Sequence, residues 1–539
     1  MVVPELGLWR AAGPRVVRIA EAVRPRLASA VATVKPHVTR LTRAVRTGPA
    51  HLPRLPRPRI AGTWRYTAGA ATAGLVLAAG VVTAAGPWDA NGQRTAERDL
   101  AAAPERSGGA DHGGTGTGTG AGALRPAPSA EPVLAALGGA REAVDTGKAA
   151  PGARTVSDVL GPLLDTSALG GTHTAVVVDV TTGARLYDAG GRKPLTPAST
   201  TKIATAVAAL SALGPDHRLT TRAALEPDTR ELVLVGGGDP TLTAHADSGG
   251  WASLRTLAAH TAEALGERGV REITLSYDTT LFTGPALHPI GVNDNLAPVS
   301  ALAADEGRTD DSAGGPAARV DDPAADTAAK FAAFLKEDGI TTTHPGPSKA
   351  STRAQTLATV TSPPLSSLVE RMLTNSDNDI AEALARHTAL ASGEAAGFGG
   401  GAKAIATQLR ALGLPLSGTA FHDGSGLDRA DRLTADLLTG LLGKAADPRH
   451  PGLRPVLTGL PVAGFTGTLS DRYTDGAAGV VRAKTGTLTG VNTLAGTVVD
   501  TDGHLLAFAF LASDTKDPLQ AQAALDATAT ALAACGCRS

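Results

Sequence analysis

Aromatic residues, cysteine and lysine are all scarce in this chain of 539 residues. Aromatic side chains make up 3% of the sequence and apolar residues as a whole 42%, so we expect a core built mainly from Ala, Val and Leu. The only cysteines are Cys535 and Cys537, which excludes a disulfide-stapled scaffold. The chain has 11 lysines against 39 arginines, so each lysine beside a hydroxyl residue or a glycine is a candidate for chemistry.

The chain also has little net charge, −1 in total, but the two signs are unevenly distributed. Residues 1–66 hold 13 Arg and Lys against two Glu, or +11, and the remainder holds 37 basic against 49 acidic residues, or −12. This pattern excludes a uniformly basic nucleic-acid-binding protein, and we expect no nucleic-acid partner. Long apolar-periodic segments after residue 150 exclude a fully disordered chain.

A membrane segment is predicted after the basic segment 1–66. Residues 67–86 carry no charge, and this uncharged segment has about the length that a helix needs to cross a bilayer. The positive flank places residues 1–66 in the cytoplasm and the rest of the chain outside. We favour an uncleaved single-pass anchor, with a cleaved signal segment and a buried Ala-rich helix as the alternatives. Residues 87–152 are rich in Gly, Pro and Thr and are expected to form a flexible linker.

The folded part is predicted to contain strands and helices at both of its ends. A hairpin (174–187) and a helix (198–214) come first, and strands at 481–487, 493–499 and 505–511 with a helix at 518–534 come last. We therefore expect one sheet assembled from residues 153–216 and 350–539, with an inserted domain at 217–349.

Ser199 and Lys202 form the first candidate site. They are three residues apart at the predicted start of a helix, so their side chains share one face. A lysine amine whose pKa is lowered by burial could take the serine proton, and the helix N-terminus would favour the oxyanion that follows. The alternative is a helix-capping serine with a solvent-exposed lysine.

Two further short motifs lie downstream. Ser376-Asp377-Asn378 falls between two predicted helices, where it is either a helix-capping turn or a second serine with an amide that positions a substrate. Lys484-Thr485-Gly486-Thr487 falls on a predicted strand. It is either a charged edge strand or a carboxylate site, in which Gly486 allows close backbone approach and the Thr487 N–H completes an oxyanion hole with that of Ser199.

The three motifs together resemble those of penicillin-binding proteins and serine β-lactamases, in which they occur in this order. Segments 236–240, 298–302 and 423–427 are further similar to the D-alanyl-D-alanine carboxypeptidase/endopeptidase family related to penicillin-binding protein 4 (peptidase family S13). The resemblance covers about residues 154–538. The chain departs from the family pattern at His288-Pro289, where a Trp is typical.

The resemblance implies an α/β (α+β) fold, a β-lactamase/transpeptidase-like domain with an antiparallel sheet flanked by helices and an insertion between the first and second motifs. It implies a serine-type D-Ala-D-Ala carboxypeptidase, with endopeptidase activity left open, that trims peptidoglycan stem peptides through an acyl-enzyme and is inhibited covalently by β-lactam antibiotics. The resemblance implies that Ser199 is the nucleophile, Lys202 its base and Ser376 the proton donor to the leaving group. It implies that Asn378 contacts the substrate backbone. The terminal carboxylate would be bound by Lys484, Thr485, Gly486 and Thr487. No cofactor and no metal are expected, because the histidines show no ligand spacing.

Two alternative functions remain at this stage. A serine β-lactamase shares the three motifs, but its commonest class deacylates with a Glu-x-x-x-Asn element, and here Arg386 follows Glu382 at that spacing. A non-catalytic cell-wall scaffold would not need an intact Ser199, Lys202 and Lys484.

Overall fold

The computed structural model describes residues 155–473 and 476–536. The predicted basic segment, membrane segment and linker (residues 1–152) lie outside these residues, and so does Cys537. Among the described helices, none combines the length and the apolar character that crossing a membrane requires.

In the described residues, the chain begins in one sheet, passes through a second and returns to the first, with helices between the strands. The helices are α1 (Val156–Leu164), α2 (Thr201–Leu213), α3 (Leu254–Glu267), α4 (Pro323–Glu337), α5 (Leu365–Asn375), α6 (Asn378–Ala391), α7 (Phe398–Ala411), α8 (Ala435–Ala446), α9 (Pro455–Thr458) and α10 (Pro518–Ala533). The strands are β1 (Thr172–Asp179), β2 (Arg185–Ala189), β3 (Thr220–Leu225), β4 (Glu231–Val235), β5 (Glu272–Asp278), β6 (Thr341–Pro347), β7 (Gln355–Thr361), β8 (Arg482–Leu488), β9 (Val491–Val499) and β10 (Leu505–Ser513).

The first sheet joins the two ends of the folded segment, as the sequence predicts. Its strand order is β2-β1-β10-β9-β8, and every neighbouring pair is antiparallel. Strand β1 pairs along its whole length with β10, although more than 300 residues separate them in the chain. This pairing places β8 at the edge of the sheet, where the start of its outer side bonds to segment 461–463.

Both faces of this sheet are covered by helices. Because side chains alternate along a strand, Val176 of β1 packs into the core around α2, whereas Val177 packs into a second core beneath α10. Phe508 and Phe510 of β10 face the second core with Val177. The rest of these cores consists largely of Ala, Val and Leu, as the composition predicts.

The insertion forms a second, mixed sheet of order β6-β5-β4-β3-β7. The predicted return to the first domain at residue 350 is too early, because β7 (Gln355–Thr361) pairs antiparallel with β3. The insertion therefore extends to Thr361 rather than to residue 349. A run such as QTLATVT does not by itself indicate which of two sheets the strand joins, since that depends on partners far along the chain.

Candidate active site

Ser199 lies in a tight turn just before helix α2. The sequence predicts that Ser199 occupies the first turn of the α-helix, but residues 198–200 form a 3-10 turn and the α-helix begins at Thr201. Ala198 has a φ of 49°, a left-handed backbone conformation that residues other than glycine rarely adopt. The strained turn presents the half-buried Ser199 side chain to a cavity.

Two glycines make room for this turn. A Cβ on Gly486 of β8 would lie 2.8 Å from the Pro197 carbonyl oxygen and would clash with the Thr493 hydroxyl. A Cβ on Gly426 would collide with the Ala198 carbonyl. Gly486 therefore allows the close backbone approach that the sequence predicts, and the approaching backbone is the turn that carries Ser199.

Lys202 is completely buried, and its amine has three oxygen partners. Its Nζ lies 3.0 Å from Ser199 Oγ, 2.6 Å from Asn378 Oδ1 and 2.7 Å from the Ser425 carbonyl oxygen. Burial lowers the pKa of Lys202 to about 8, although the carboxylates of Asp423, Asp377 and Glu382 oppose this shift. The alternative of a solvent-exposed lysine is therefore wrong.

The Ser376-Asp377-Asn378 motif is a capping turn and a part of the site at once. Ser376 ends α5 in the left-handed conformation with a φ of 59°, and Asp377 caps α6 by accepting a hydrogen bond from the Ile380 N–H at 3.0 Å. The Asn378 amide is held from two sides, because its Oδ1 accepts from Lys202 and its Nδ2 donates to the Asn295 carbonyl at 2.8 Å.

Lys484 lies behind Ser376 on the edge strand β8. Its Nζ donates to Ser376 Oγ at 2.8 Å and to the Thr485 carbonyl at 2.8 Å, and its side chain is completely buried. Burial lowers the pKa of Lys484 well below its ordinary value, and the nearby charges of Lys202 and Arg472 lower it further. Lys484 thus does not present a charge to solvent at the sheet edge.

A cavity of about 290 Å³ brings the three motifs together. Ser199, Ser376, Asn378 and Thr487 line it, whereas the buried amines of the two lysines lie behind this lining. Thr485 reaches the cavity wall through a hydrogen bond of its hydroxyl to that of Thr468 at 3.0 Å.

The insertion supplies one wall of this cavity, which the sequence does not predict. Asn295 and the segment 314–316 line it together with the guanidinium-bearing Arg308 and Arg319. Neither a periodic pattern nor a motif marks these residues. The nearest signal is the adjoining segment 298–302, which carries a family resemblance but no assigned role.

A charged cluster, part of which lines the same cavity, joins the insertion to the Ser376-Asn378 turn. Asp379 accepts from the Ala297 N–H at 3.0 Å and pairs with Arg319 at 3.1 Å. Three acidic and three basic side chains form the cluster: Glu306, Asp377, Asp379, Arg308, Arg319 and Arg371. Burial together with the neighbouring Asp377 and Asp379 raises the pKa of Glu306 to about 9, and burial raises that of Asp379 to about 7.

The Gly-rich turn 423–428 lies on the other side of Lys202. The Asp423 carboxylate accepts hydrogen bonds from the Gly426 and Asp428 N–H groups, both at 2.7 Å, and from the buried His288 at 3.0 Å. Burial alone would raise the pKa of Asp423, but these hydrogen bonds outweigh it and hold the pKa below its ordinary value. Beneath the turn, Glu382 accepts from the Gly424 N–H at 3.0 Å.

Two groups of side chains in the described residues have the composition of a metal site. In His288, Glu382 and Asp423, the ligand atoms already bind protein groups, including Ile290 N–H and the Arg386 guanidinium. The second group, Glu306, Asp377 and Asp379, belongs to the charged cluster and is surrounded by its three arginines. We therefore assign no metal to either group.

Comparison with known proteins places this arrangement among carboxypeptidases. Residues 156–318 and 310–532 match the sequence model of the D-Ala-D-Ala carboxypeptidase 3 (S13) family. The chain is 38% identical over 409 residues to the carboxypeptidase DacB of Mycolicibacterium smegmatis, covering 73% of this chain and 87% of that protein. It is 31% identical over 441 residues to a D-alanyl-D-alanine carboxypeptidase of Actinomadura, and the match covers 65% of this chain and 79% of that protein.

A solved structure shares the fold. Penicillin-binding protein 4 (dacB) of Haemophilus influenzae superposes with a TM-score of 0.57 at 23% sequence identity, covering 68% of this chain and 97% of that one. The antiparallel sheet flanked by helices and interrupted by an insertion, predicted from the order of the elements and from the family resemblance, is thereby confirmed.

Proposed function

Because the chain belongs to the D-Ala-D-Ala carboxypeptidase 3 (S13) family, it is a serine-type D-Ala-D-Ala carboxypeptidase, and we propose that Ser199 is its nucleophile. The observation that carries this proposal is the 3.0 Å contact between Ser199 Oγ and a buried lysine amine of lowered pKa, at the edge of a cavity. The substrate is the D-Ala-D-Ala end of a peptidoglycan stem peptide.

The partners of Lys202 orient its lone pair. Asn378 Oδ1 and the Ser425 carbonyl only accept hydrogen bonds, and the Asn295 carbonyl fixes which end of the Asn378 amide faces the lysine. A neutral amine therefore directs its two N–H groups to these oxygens and its lone pair to the Ser199 hydroxyl. Lys202 takes the hydroxyl proton as Ser199 Oγ bonds to the carbonyl carbon between the two D-alanines.

The second serine completes the acylation. The tetrahedral oxyanion is held by the backbone N–H groups of Ser199 and Thr487, two residues that line the cavity. Ser376 delivers a proton to the leaving amine and is re-protonated from Lys484, whose amine lies 2.8 Å behind it. The terminal D-alanine leaves, and water then hydrolyses the ester on Ser199.

The strand β8 binds the terminal carboxylate. The hydroxyl groups of Thr485, Thr487 and Thr468 lie at or next to the cavity wall, and Lys484 supplies positive charge from behind. An arriving carboxylate favours the protonated form of the buried Lys484 amine, so substrate binding and proton uptake are coupled at this strand. Gly486 keeps the strand close to Ser199.

Labelling with a fluorescent penicillin tests the proposal, because a β-lactam carries the same reactive carbonyl chemistry and forms a stable ester with the nucleophile. The wild-type protein should take one label with the mass of a penicilloyl adduct, and Ser199→Ala should take none. Ser211→Ala is the matched control, since Ser211 is an exposed serine on the same helix. Labelling of Ser199→Ala at the wild-type rate would contradict the assignment.

The same experiment separates a carboxypeptidase from a β-lactamase. Glu382 is buried beneath the turn 423–428 and is bonded to Arg386, so this carboxylate does not reach the cavity as a deacylating base. We therefore expect the adduct to persist through a chase with unlabelled penicillin. Products from a D-alanyl-D-alanine pentapeptide and a cross-linked muropeptide dimer, offered in competition, measure the balance of carboxypeptidase and endopeptidase activity.

We also propose that the enzyme works outside the cytoplasmic membrane. The proposal rests on the sequence, in which the basic segment 1–66 precedes the uncharged segment 67–86 and the linker 87–152. Segment 67–86 then anchors the chain as a single pass, or directs secretion if it is cleaved. Uncrosslinked stem peptides lie on that side of the membrane, so the location agrees with the substrate.

A further inference from the structure

A buried histidine of the insertion contacts the turn beside the catalytic lysine. His288 is 2% exposed, its Nδ1 accepts the Ile290 N–H at 3.2 Å, and its Nε2 lies 3.0 Å from Asp423 Oδ2. A ring nitrogen that accepts a hydrogen bond from a backbone N–H carries no proton. The proton of the neutral imidazole is therefore on Nε2 and is donated to Asp423.

Asp423 in turn fixes the backbone around Ser425. One of its carboxylate oxygens accepts from the Gly426 N–H, and the other, which receives the His288 proton, also accepts from the Asp428 N–H. The Ser425 carbonyl between these contacts accepts a hydrogen bond from Lys202 Nζ at 2.7 Å. A continuous series of hydrogen bonds thus runs from His288 through Asp423 and this turn to the lysine amine.

We propose that His288 is a positioning residue for Lys202, acting through the Asp423 carboxylate and the Ser425 carbonyl. The proposal rests on the proposed function, in which the Lys202 lone pair must point at the Ser199 hydroxyl. The Ser425 carbonyl takes one of the two N–H groups that set the direction of this lone pair, so a shift of the turn rotates the amine. Misplacement of a base by about 1 Å costs up to about a hundredfold in rate.

The insertion holds the other N–H acceptor as well. The Asn295 carbonyl accepts from Asn378 Nδ2, and Asn378 Oδ1 accepts from Lys202. The insertion therefore contacts the supports of both acceptors, one through a backbone carbonyl and one through an imidazole that bonds to Asp423, while Glu382 of α6 also holds the turn by accepting from the Ser425 N–H. Only the second can be removed by replacing a side chain in the insertion, which makes His288 the position to test.

Two polar replacements of His288 separate its two hydrogen bonds. An Asn side chain places an oxygen where Nδ1 stands and keeps the Ile290 bond, but it is too short to reach Asp423. A Gln side chain places its amide nitrogen near the Nε2 position and can still donate to Asp423. We expect His288→Asn to slow acylation at saturating penicillin about ten- to a hundredfold, with little change in the half-saturating concentration, and His288→Gln to acylate at close to the wild-type rate.

His387 provides a matched control. It is also buried at the junction with the insertion, but in the described residues its ring bonds to the Gly238 carbonyl at 3.1 Å and not to the turn that holds Ser425. His387→Asn should reduce thermal stability about as much as His288→Asn and leave the acylation rate unchanged. If His288→Asn does not fold, Asp423→Asn carries the test, since it keeps the side-chain size and removes the carboxylate.

The outcomes distinguish this proposal from the proposed function. No acylation of the wild-type protein would overturn both. If the wild-type protein acylates and His288→Asn acylates equally fast, the positioning role alone is overturned. The same holds if the wild-type protein acylates and His288→Gln is as slow as His288→Asn. Equal slowing in His387→Asn would overturn it too, because the effect would then be a general consequence of a weakened junction.

Discussion

At the scale of single residues, the site depends on two buried amines that each contact a serine hydroxyl. Lys202 contacts Ser199 and Lys484 contacts Ser376, and both side chains are completely buried. Burial disfavours the charged form of both, which suits proton transfer better than simple charge pairing. The two serines therefore have separate proton partners within one cavity, and the proposed mechanism uses one for the attack and the other for the departure of the leaving group.

The pKa of Lys202 sets the pH dependence of acylation. A protonated amine has no lone pair, so acylation by penicillin should be slow well below a pKa of about 8 and should rise through it. The second-order rate constant of acylation, measured from about pH 6 to about pH 10, checks this expectation. A midpoint near the ordinary lysine value of 10.5 would contradict a buried amine acting as base.

At the scale of elements, the junctions between helices and strands create the site. The end of α5 and the start of α6 meet at Ser376 and Asp377, where ordinary capping geometry also directs a hydroxyl into the cavity. The edge strand β8 packs against the strained turn before α2 at Gly486. The capping interpretation of Ser376-Asp377-Asn378 is therefore compatible with its functional interpretation, whereas the buried Lys484 does not act as a surface charge on an edge strand.

A methyl group on Gly486 should disturb this junction. Gly486→Ala would place a Cβ 2.8 Å from the Pro197 carbonyl and against the Thr493 hydroxyl, so β8 and the Ser199 turn must separate. We expect acylation to slow by about tenfold or more and stability to fall by about 1–3 kcal/mol. Penicillin labelling rates and thermal denaturation measure the two effects.

Gly443→Ala is the control for this substitution. Gly443 lies in helix α8, and a Cβ there has no neighbour within 4 Å. Its replacement should leave acylation unchanged and raise stability by up to about 1 kcal/mol. An unimpaired Gly486→Ala enzyme would show that the junction tolerates the extra carbon and that the close approach is not needed for catalysis.

At the scale of the whole molecule, the insertion forms part of the candidate active site. It contributes Asn295, Arg308 and Arg319 to the cavity wall, and its charged side chains pair with Asp379 immediately after the Ser376-Asn378 turn. The three arginines of the charged cluster offset the cost of burying its carboxylates. The insertion therefore both shapes the substrate cavity and holds the turn that carries Ser376 and Asn378.

The proposed location is a property of the whole chain. In a bacterial host, the full-length protein should sediment with the membrane fraction and be accessible to protease added outside the cytoplasmic membrane. Deletion of residues 67–86 should leave a cytoplasmic protein that still takes penicillin after purification. A full-length protein found in the cytoplasm would contradict the proposal, and an N-terminus after residue 86 would indicate cleavage.

The amino-acid sequence by itself determined the types of the main elements and the three motifs in their order. Helix and strand signals depend on local periodicity and turn residues, so the start of α2 and the strands β8, β9 and β10 were predictable to within a few residues. Because lysine is scarce, Lys202 and Lys484 also stand out in the sequence beside hydroxyl residues and a glycine. The family resemblance then connected three motifs that local arguments could not bring together.

Only the tertiary structure decided which side chains are buried and what each of them contacts. The contacts of Lys202 with Asn378 and Ser425 span more than 170 residues of chain. The contacts of His288 with Asp423 and of Asn295 with Asn378 join the insertion to the domain that contains the first sheet. The place of β7 was likewise decided by its pairing with β3. Such contacts depend on packing between distant segments, which leaves no periodic pattern in the sequence of either partner.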